Sequence, residues 1–460
     1  MSEFSSLVSR VEGEVFLPGQ EGFDEERTGF QRAVVHRPDV IVGAASARDV
    51  AAAVEYARDR DLPVAVQATG HGTCVAMDGG VLVSTRRMTG VRIDPRARTA
   101  WLEAGVRWEH VVPEAARHGL APLNGSAPHV GAVSYILGGG LALLGRTYGW
   151  AADHVHRMEV VTADAQIKQI TPDTDPDLFW ALLGGKDNFG IVTGLETALM
   201  PQPRIYGGGL YFDTPHIEDI LHTWHQWTTT TPDTMNSSLA LIPVPDAPVV
   251  PEPLRGRYVA HVRIAYTGDA QEGERLVAPL RAVAPRLLDT LTEMPYSASA
   301  VIHNDPPTPM PWYADVAMLD ELAESDVPTI LKTVGPGAPV MCIVELRHLG
   351  GALARRLGAP NAVGNRDARY MLYVLSPLVG PFTPETVGPV HRQLFDALSP
   401  RTTGRFVNFM GIGENAGADQ VRSAYDPEDH ARLVRLKAVH DPANTFRVNY
   451  NLEPGTPGSH

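Results

Sequence analysis

One histidine lies among four glycines in the segment 64–80, which reads VAVQATGHGTCVAMDGG. Val64 and Val66 predict a short buried strand, and the small residues after them form a loop that carries His71. Glycines allow positive φ angles and close approach of the backbone to a ligand. Successive N–H groups in such a loop can bind an anion such as a pyrophosphate. The competing interpretation is a tight turn whose histidine makes a local hydrogen bond.

A second glycine-rich loop occupies residues 122–149 and contains three consecutive glycines, 138–140, between two apolar segments. Ordering three glycines in a row costs considerable backbone entropy. That cost is easier to explain if a flat ligand needs the room than if the segment is a flexible turn, which is the alternative. The second loop therefore favours a ligand-binding interpretation of the first.

The commoner nucleotide and metal motifs do not occur in the sequence. It contains no G-x-G-x-x-G, no G-x-x-x-x-G-K-[ST], no H-E-x-x-H and no G-x-S-x-G. The close histidine pairs His154/His156 and His222/His225 lack carboxylate or thiolate companions, so we expect surface or core histidines there. We predict no metal site.

Composition and length limit the class of protein. The chain has 460 residues, 44% hydrophobic and 20% charged, which predicts a soluble globular protein of two domains, with three as an alternative. A formal net charge of −14 disfavours nucleic-acid and anionic-membrane partners. We find no apolar segment long enough to span a bilayer and no secretory signal. Two cysteines, Cys74 and Cys342, suit a reducing compartment, and we expect a cytoplasmic location.

Hydrophobic patterns predict α+β organisation for the first part of the chain. Asp39–Gly43 and Val81–Ser84 read as strands, and residues 91–104 read as a hairpin. Ser46 and Asp49 match the capping pattern at the start of a helix over 50–60. These elements would position the first loop.

Five segments jointly resemble the berberine-bridge-enzyme-like flavoproteins, which are FAD-linked oxidases of the vanillyl-alcohol-oxidase or PCMH type. The match covers the first 200 residues or so and about the last 40, whereas the middle matches loosely, through Leu349–Ala352. The matching segments are 37–54; 69–72 with 78–80; 130–131 with 137–140, Arg146, 148–149 and Asp153; 177–180 with 188–193; and 432–433, Lys437, 441–442, Asn444 and 446–447.

The resemblance implies an α+β fold with two domains. Residues 1–202 and 405–460 would form a discontinuous FAD-binding domain of two subdomains. Residues 203–404 would form the substrate-binding domain, an antiparallel sheet backed by helices. The strand-like segments there are 206–212, 258–266, 339–348 and 370–378.

The resemblance also implies how FAD is held. His71 stands where the family's histidine is joined to the flavin 8α-methyl group, whereas Ala127 stands where many members have a second, cysteinyl link to C6. We therefore predict a single covalent link and interpret Cys74 as a small buried residue. Gln67–Thr69 and Lys186–Asp187 depart from the family pattern. The expected FAD contacts are Ala68, Thr69, Gly70, His71, Gly72 and Thr73 at the pyrophosphate; Ala127, Val130, Gly131, Ser134, Gly138 and Gly139 along the isoalloxazine; Gly190 and Val192 at the adenosine half; and Asn449 and Asn451 near the flavin.

The catalytic base is open at this point. Relatives often place a tyrosine in a Tyr-x-Asn-Tyr segment near the flavin, but the segment here reads Phe406-Val-Asn-Phe409. The candidates are Glu345, Tyr370, Tyr373 and Tyr450, with His348 as a further possibility; ordinary sheet residues are the alternative. By the two-residue period of a strand, Glu345 and His348 point to opposite faces, as do Tyr370 and Tyr373.

The resemblance predicts an FAD-dependent oxidase that transfers a hydride from a small or medium organic substrate to flavin N5, with reoxidation by molecular oxygen to hydrogen peroxide. Alcohols, sugars, amines and secondary metabolites are the expected substrate classes. The alternatives are a flavin-dependent cyclase or dehydrogenase with low oxygen reactivity, and a non-catalytic flavin-binding protein. The identity of the substrate and the oligomeric state stay open.

Overall fold

Three β-sheets and their covering helices make up the computed structural model, which describes residues 4–412 and 416–455. The sheets have four, five and nine strands, and helices alternate with strands along the chain. This arrangement confirms the α+β class. Within the described part of the chain, no helix has both the length and the apolar character needed to cross a membrane.

The first sheet carries the glycine loop that contains the histidine. Its elements are α1 (Ser5–Val8), β1 (Glu14–Phe16), α2 (Phe23–Arg27), β2 (Val40–Gly43), α3 (Ala47–Arg58), β3 (Val64–Gln67) and β4 (Val81–Ser84). The strand order is β1-β2-β4-β3, with β2, β4 and β3 parallel. Ser46 caps α3 by accepting a hydrogen bond from the Asp49 N–H at 3.4 Å, as the pattern predicted. Val50, Val54 and Ala57 of α3 are buried against the sheet.

The second sheet carries the triple-glycine loop. Its elements are β5 (Val91–Asp94), β6 (Thr99–Glu103), α4 (Trp108–Ala116), α5 (Ala132–Leu137), α6 (Gly145–Tyr148), β7 (Val155–Val161), β8 (Ile167–Ile170), α7 (Pro176–Gly185) and β9 (Ile191–Ala198). The antiparallel strand order is β5-β6-β9-β7-β8, and β5 and β6 are the predicted hairpin. Gly184 has a φ of 120° and breaks the helical path at the end of α7.

The third sheet has nine antiparallel strands. The elements of this part are β10 (Arg204–Asp213), α8 (Ile217–Thr228), β11 (Met235–Pro243), β12 (Tyr258–Tyr266), α9 (Ala270–Arg281), β13 (Arg286–Asp289), β14 (Thr292–Pro295), β15 (Trp312–Leu319), α10 (Asp326–Val334), β16 (Ile343–His348), β17 (Tyr370–Pro377), α11 (Pro384–Ala397) and β18 (Thr402–Gly404). Trp224, Leu280 and Leu394 from the helices pack on one face. Ala265 and Met371, on the other face, join the core that contains α5 and α7. The sheet therefore presents its second face to the first 200 or so residues.

One strand of this sheet begins later than the sequence predicted. The prediction placed it over 339–348, whereas β16 begins at Ile343. Pro339 has no N–H to offer a neighbouring strand, and the segment from Gly335 to Pro339 forms a turn after α10. The other three predicted strands agree with β10, β12 and β17 to within three residues at each end.

A buried ion pair joins the second sheet's unit to the segment before β17. Arg366 donates to both carboxylate oxygens of Asp153, at 2.6 and 3.1 Å, and Asn361 donates to the same carboxylate at 2.8 Å. Asp153 also accepts from the Trp150 N–H at 3.1 Å. These contacts cross between the two predicted domains, whose boundaries stay a prediction.

The end of the chain returns to the first two sheets through α12 (Ala418–Arg422) and α13 (Pro427–His440). The fully buried Lys437 ammonium donates to Asp441 at 2.7 Å, to the Asn188 carbonyl at 2.7 Å and to the Phe446 carbonyl at 3.0 Å. The Asn188 amide in turn donates to the Tyr450 carbonyl at 3.1 Å. These hydrogen bonds hold the C-terminal tail next to the loop that follows α7.

Replacement of Lys437 by Met should therefore destabilise the protein strongly, since it leaves Asp441 charged and buried without its partner. We expect a loss of about 3–5 kcal/mol in the free energy of unfolding, measured by urea denaturation. The double variant Lys437→Met/Asp441→Asn should lose less, because it removes both charges. Lys332→Met, at an exposed position of α10, is the control and should change the free energy by less than about 0.5 kcal/mol. Equal losses in the single and double variants would contradict this account of the pair.

Candidate functional site

A cleft with about 910 Å³ of unfilled space lies between the two glycine-rich loops and the C-terminal tail. One wall is the loop after β3, and the opposite walls are α5, the segment after α7 and the tail. The lining residues include 65–75, Val133, Ser134, Leu137, Lys186, Asp187, Ile191, Val192 and 448–450. All six residues predicted at a pyrophosphate, 68–73, are in this wall.

Two glycines of the first loop have different surroundings. A Cβ built on Gly72 would have only Lys186 Nζ within 4 Å, at 3.9 Å, so this glycine borders open space in the cleft. Gly70 has a φ of 69°, and a Cβ there would lie 2.3 Å from the Gly29 Cα. The lack of a side chain at Gly70 therefore allows the N-terminal segment to pack closely, while the lack of one at Gly72 leaves room for a ligand.

The His71 imidazole is held between other rings at the edge of the cleft. It stacks on Phe30 at a centroid distance of 3.9 Å and lies 4.9 Å from His129. Its Nδ1 is 3.0 Å from Thr69 Oγ1, whereas its buried Nε2 has no hydrogen-bond partner among the described residues. Burial, with His129 and Arg107 nearby, lowers the pKa of His71 to about 3. The ring is therefore neutral at physiological pH, and one of its nitrogens has no partner.

The second loop contacts the first through its start. Ser134 lines the cleft, and a Cβ on Gly131 would lie 3.7 Å from the Ala68 Cβ. Val130 donates its N–H to the Ala127 carbonyl at 3.3 Å, which closes a turn outside the lining of the cleft. The structure thus brings Ser134 and Gly131 to the first loop, with Ala127 and Val130 one turn away.

The triple-glycine segment packs against protein side chains in this structure. A Cβ on Gly138 would lie 2.0 Å from Asn408 Oδ1, and one on Gly139 would lie 3.2 Å from both Phe406 and Val363. The lack of side chains here makes room for the segment that contains Phe406 and Asn408. Contact of Gly138 and Gly139 with a flavin stays a prediction.

The tail and the segment after α7 complete the cleft. Val192, Asn449 and Tyr450 line it. The Oδ1 atoms of Asn449 and Asn451 are buried and have no hydrogen-bond partner among the described residues. Gly190 does not line the cleft; a Cβ there would lie 2.7 Å from a carbonyl of β7. The two asparagines therefore hold acceptor oxygens that a bound group could satisfy.

Two residues that pack on His71, Phe30 and His129, and one residue of the cleft lining, Lys186, were not predicted as site residues from sequence. Phe30 lies in an irregular segment 41 residues before His71 and has no local signal. His129 could have been noticed as a histidine two residues after Ala127. Lys186 has a φ of 55° and extends its Nζ to within 3.1 Å of Asn408 Oδ1, so the interruption of the glycine run that the sequence shows places a cation at the cleft.

The candidate base Glu345 belongs to a buried charged cluster on the second face of the nine-stranded sheet. Its carboxylate accepts from Arg263 at 2.8 Å, Arg347 at 2.9 Å and Ser238 at 3.0 Å. Burial acts to raise the pKa of Glu345, but the two guanidinium groups outweigh it and hold the pKa well below its usual range. Glu345 is therefore ionised at all ordinary pH values and is a weak base.

The three candidate tyrosines lie in two places. Tyr373 packs edge-on against Phe409 at 5.0 Å, on the side of the cleft, and burial, followed by Glu345, raises its pKa. Tyr450 lines the cleft and donates its hydroxyl to the carbonyls of 410 and 411; burial raises its pKa well above the usual value. Tyr370 is on the opposite face of the sheet, 2.7 Å from Thr228 Oγ1. Only Tyr373 and Tyr450 are therefore close to the cleft.

The residues present fit a flavin nucleotide. The cleft combines open backbone at Gly72, a half-buried neutral imidazole with an unpaired nitrogen and the unpaired amide oxygen of Asn449, whereas Asn451 does not line it. A lysine lines the same space, where it suits an anionic group. The described residues contain no group of three histidine, cysteine or acidic side chains that could hold a metal ion.

Comparison with known proteins agrees with this site. A family model described as an FAD binding domain matches residues 38–171, which include both glycine-rich loops. The chain is 28% identical over 456 residues to (R)-6-hydroxynicotine oxidase of Paenarthrobacter nicotinovorans, covering 96% of this chain and 97% of the relative.

Solved structures have the same architecture along the whole chain. The crystal structure of 6-hydroxy-D-nicotine oxidase from Arthrobacter nicotinovorans superposes with a TM-score of 0.82 at 25% identity, covering 97% of this chain and 98% of that one. The wild-type BBE-like 1 protein of Physcomitrella patens superposes with a TM-score of 0.84 at 17% identity over both full chains, a likeness of fold. Residues 38–171 match an FAD binding domain, and the chain is an FAD-dependent oxidoreductase that is similar along its length to FAD-linked oxidases of the PCMH type.

Proposed function

We propose that this protein oxidises a small or medium organic molecule with an FAD held in the cleft and joined covalently to His71. The observation that carries the proposal is the His71 imidazole, which is half-buried, neutral and unpaired at one nitrogen, in a loop of open backbone. When bound, FAD accepts a hydride at N5 and passes the electrons to molecular oxygen, which yields hydrogen peroxide.

The loop and the tail would bind and orient the cofactor. The backbone N–H groups of residues 68–73 suit the pyrophosphate, because successive donors in a loop favour an anion. Val192 suits the adenosine half, and Ser134 the isoalloxazine. Asn449 and Asn451 each offer a buried acceptor without a partner, which suits an N–H of the flavin.

A single covalent link is the form that these residues favour. The lone pair of an imidazole nitrogen would form the bond to the 8α carbon. One C–H proton and the imidazole N–H proton would be lost, and the two electrons of the C–H bond would reduce molecular oxygen, which with two protons gives hydrogen peroxide. Ala127 offers no thiol for a second bond. Burial, followed by Asp187, raises the pKa of the Cys74 thiol to about 12, so Cys74 is protonated and a poor nucleophile.

Tyr373 and Tyr450 are the side chains best placed to act on a substrate beside the flavin. Both are close to the cleft, whereas Tyr370 faces the helices and Glu345 is occupied by two arginines. A raised pKa makes each phenol a hydrogen-bond donor in its resting state. Positioning a substrate hydroxyl or amine, with proton transfer in the transition state, is the role that this favours.

The names of similar proteins guide the choice of substrate class. Two similar proteins that match along almost their whole length are named as oxidases of 6-hydroxynicotine. An organic molecule of that size, oxidised at a carbon next to nitrogen or oxygen and with oxygen as the electron acceptor, is what we propose. Tailoring of a secondary metabolite is one such use.

Replacement of His71 by Ala should abolish covalent flavin attachment. We expect acid precipitation to leave the yellow colour with the wild-type pellet and with that of His118→Ala, an exposed control, but with the supernatant for His71→Ala. The variant should still bind some FAD and turn over more slowly. Flavin retained in the His71→Ala pellet, or peptide mapping that finds flavin on two residues, would refute the single link.

Covalent incorporation of FAD should be insensitive to moderate acidity. With a pKa of about 3, His71 stays neutral from pH 8 to pH 5, so the rate of attachment to apoprotein should be constant over this range. A histidine with the ordinary pKa near 6.5 would lose about thirtyfold in its neutral fraction. The measurement is covalent flavin in acid-quenched samples, with non-covalent FAD binding followed in parallel. A thirtyfold fall at constant FAD binding would mean an ordinary pKa.

Phenylalanine substitutions should separate the three tyrosines once a substrate is in hand. Tyr373→Phe and Tyr450→Phe should each slow anaerobic flavin reduction, by about a hundredfold or more if the phenol takes part in proton transfer. Tyr370→Phe should have the smallest effect, because that side chain faces the helices. Stopped-flow absorbance of the flavin is the measurement. A loss largest in Tyr370→Phe would contradict the placement argument.

A further inference from the structure

A second cavity, with about 420 Å³ of unfilled space, lies between the segment 141–146 and the second face of the nine-stranded sheet. We call it the arginine cavity, because Arg146, Arg263 and Arg347 line it together with His303 and His348. None of its lining residues is aspartate or glutamate. A buried lining with three guanidinium groups and no carboxylate is unusual, since buried charges are normally paired.

The nearest carboxylates do not balance these charges individually. Glu345 alone is paired with both Arg263 and Arg347, at 2.8 and 2.9 Å. Arg146 is directed mainly at backbone carbonyls, and Asp233 lies 3.6 Å away. If the charge of Asp233 balances that of Arg146, then Arg263, Arg347 and Glu345 together carry one uncompensated positive charge. Asp305 acts on Arg347 from farther away, outside the lining and without an ion pair within 4 Å among the described residues.

Unpaired donors point to a missing acceptor. Arg347 Nε, His303 Nδ1 and His348 Nδ1 are buried and have no hydrogen-bond partner among the described residues, although His303 Nδ1 lies 3.7 Å from Glu345 Oε1. Leaving a buried donor unsatisfied is costly, and most for a charged one. An anion with acceptor oxygens would satisfy such donors and the excess charge together.

The lowered pKa values of His303 and His348 are consistent with a positive potential in the cavity. Burial, followed by Arg263, lowers the pKa of His303 to about 3, and burial, followed by Arg146, lowers the pKa of His348 to about 2. Both imidazoles are therefore neutral and can donate one N–H each without adding charge.

The cavity adjoins the flavin cleft through a short series of contacts. The Arg347 guanidinium lies 4.9 Å from the centroid of Phe409, which packs on Tyr373 at 5.0 Å. Tyr373 and Glu345 are opposite each other in the register of β16 and β17. A group bound at Arg347 would therefore be one side chain away from the proposed reaction site.

We propose that the arginine cavity binds the carboxylate of an acidic substrate and so selects carboxylate-bearing molecules for oxidation. This inference rests on the proposed function, since the substrate is the molecule that FAD would oxidise. A single uncompensated positive charge matches the single negative charge of a carboxylate better than a doubly charged phosphate. The guanidinium of Arg347 offers the bidentate geometry that carboxylates favour.

The test uses the holoenzyme and two probes of equal shape, acetate and acetamide, at constant ionic strength. Binding is measured by isothermal titration calorimetry and by the difference spectrum of the flavin. We expect acetate to bind and to perturb the flavin spectrum, and acetamide to bind about tenfold more weakly or worse, because it lacks the charge. Equal binding of the two probes would overturn the proposal.

Two charge variants test the residues. Arg347→Gln should weaken acetate by about tenfold or more, whereas Glu345→Gln should tighten it, because it removes the competing carboxylate. Arg204→Gln, at an exposed arginine paired with Glu293, is the control and should bind acetate like wild type. Absence of these opposite effects would overturn the proposal. If Arg347→Gln fails to fold, Glu345→Gln alone decides, and acetate binding that is unchanged or weaker in this variant would overturn it.

These measurements distinguish a substrate carboxylate from a free inorganic anion. They also distinguish failure of this inference from failure of the proposed function. Inorganic phosphate that binds more tightly than acetate and leaves the flavin spectrum unchanged would assign the cavity to a free anion and overturn the substrate assignment. Calorimetry does not depend on the flavin. Protein that retains FAD without binding acetate contradicts the inference alone, whereas protein without FAD contradicts the proposed function.

Discussion

The contact of the Lys437 ammonium with Asp441 and with two backbone carbonyls is the constraint on which the cleft depends. It joins the last helix and the tail that follows it to the segment after α7, which is about 250 residues earlier in the chain. The tail then places Asn449 and Tyr450 opposite the loop that carries His71. A buried ion pair of this kind adds little net stability compared with apolar packing. Loss of one partner nevertheless destabilises the folded protein strongly, because the other charge is left buried and unpaired. Its main effect is therefore to fix the position of the tail relative to the segment after α7.

The two faces of the nine-stranded sheet have different roles: one is packed with apolar side chains, and the other carries charged side chains. Helices bury one face with apolar side chains, which supplies the stability of this part. The other face carries Glu345, Arg263 and Arg347, whose burial is costly. Their position beside the flavin cleft explains why such a costly arrangement is useful: a desolvated charge interacts strongly with a ligand of opposite charge. The same charges keep Glu345 ionised and therefore unsuited to proton abstraction.

Much of the fold followed from local patterns. The hairpin at β5 and β6, the cap at Ser46 and the strands β10, β12 and β17 were predicted because period and capping are short-range signals. Residues 68–73 line the cleft, as predicted. The prediction was possible because the glycines beside His71 allow close approach of the backbone to a ligand. Phe30 was missed, since an aromatic residue in an irregular segment has no periodicity to mark it. Gly138 and Gly139 show the limit of the argument: the room that they leave is occupied by Asn408, Phe406 and Val363.

The sequence by itself determined the element types, the two glycine-rich loops, the candidate histidine and the resemblance to FAD-linked oxidases. These depend on residues that are neighbours in the chain, where spacing dictates conformation. Only the tertiary structure decided that Tyr373 and Tyr450 lie near the cleft while Tyr370 does not, and that three arginines from distant segments line one cavity. Those facts depend on strand pairing and on which face of a sheet is covered, and non-local contacts of this kind leave no periodic trace in the chain.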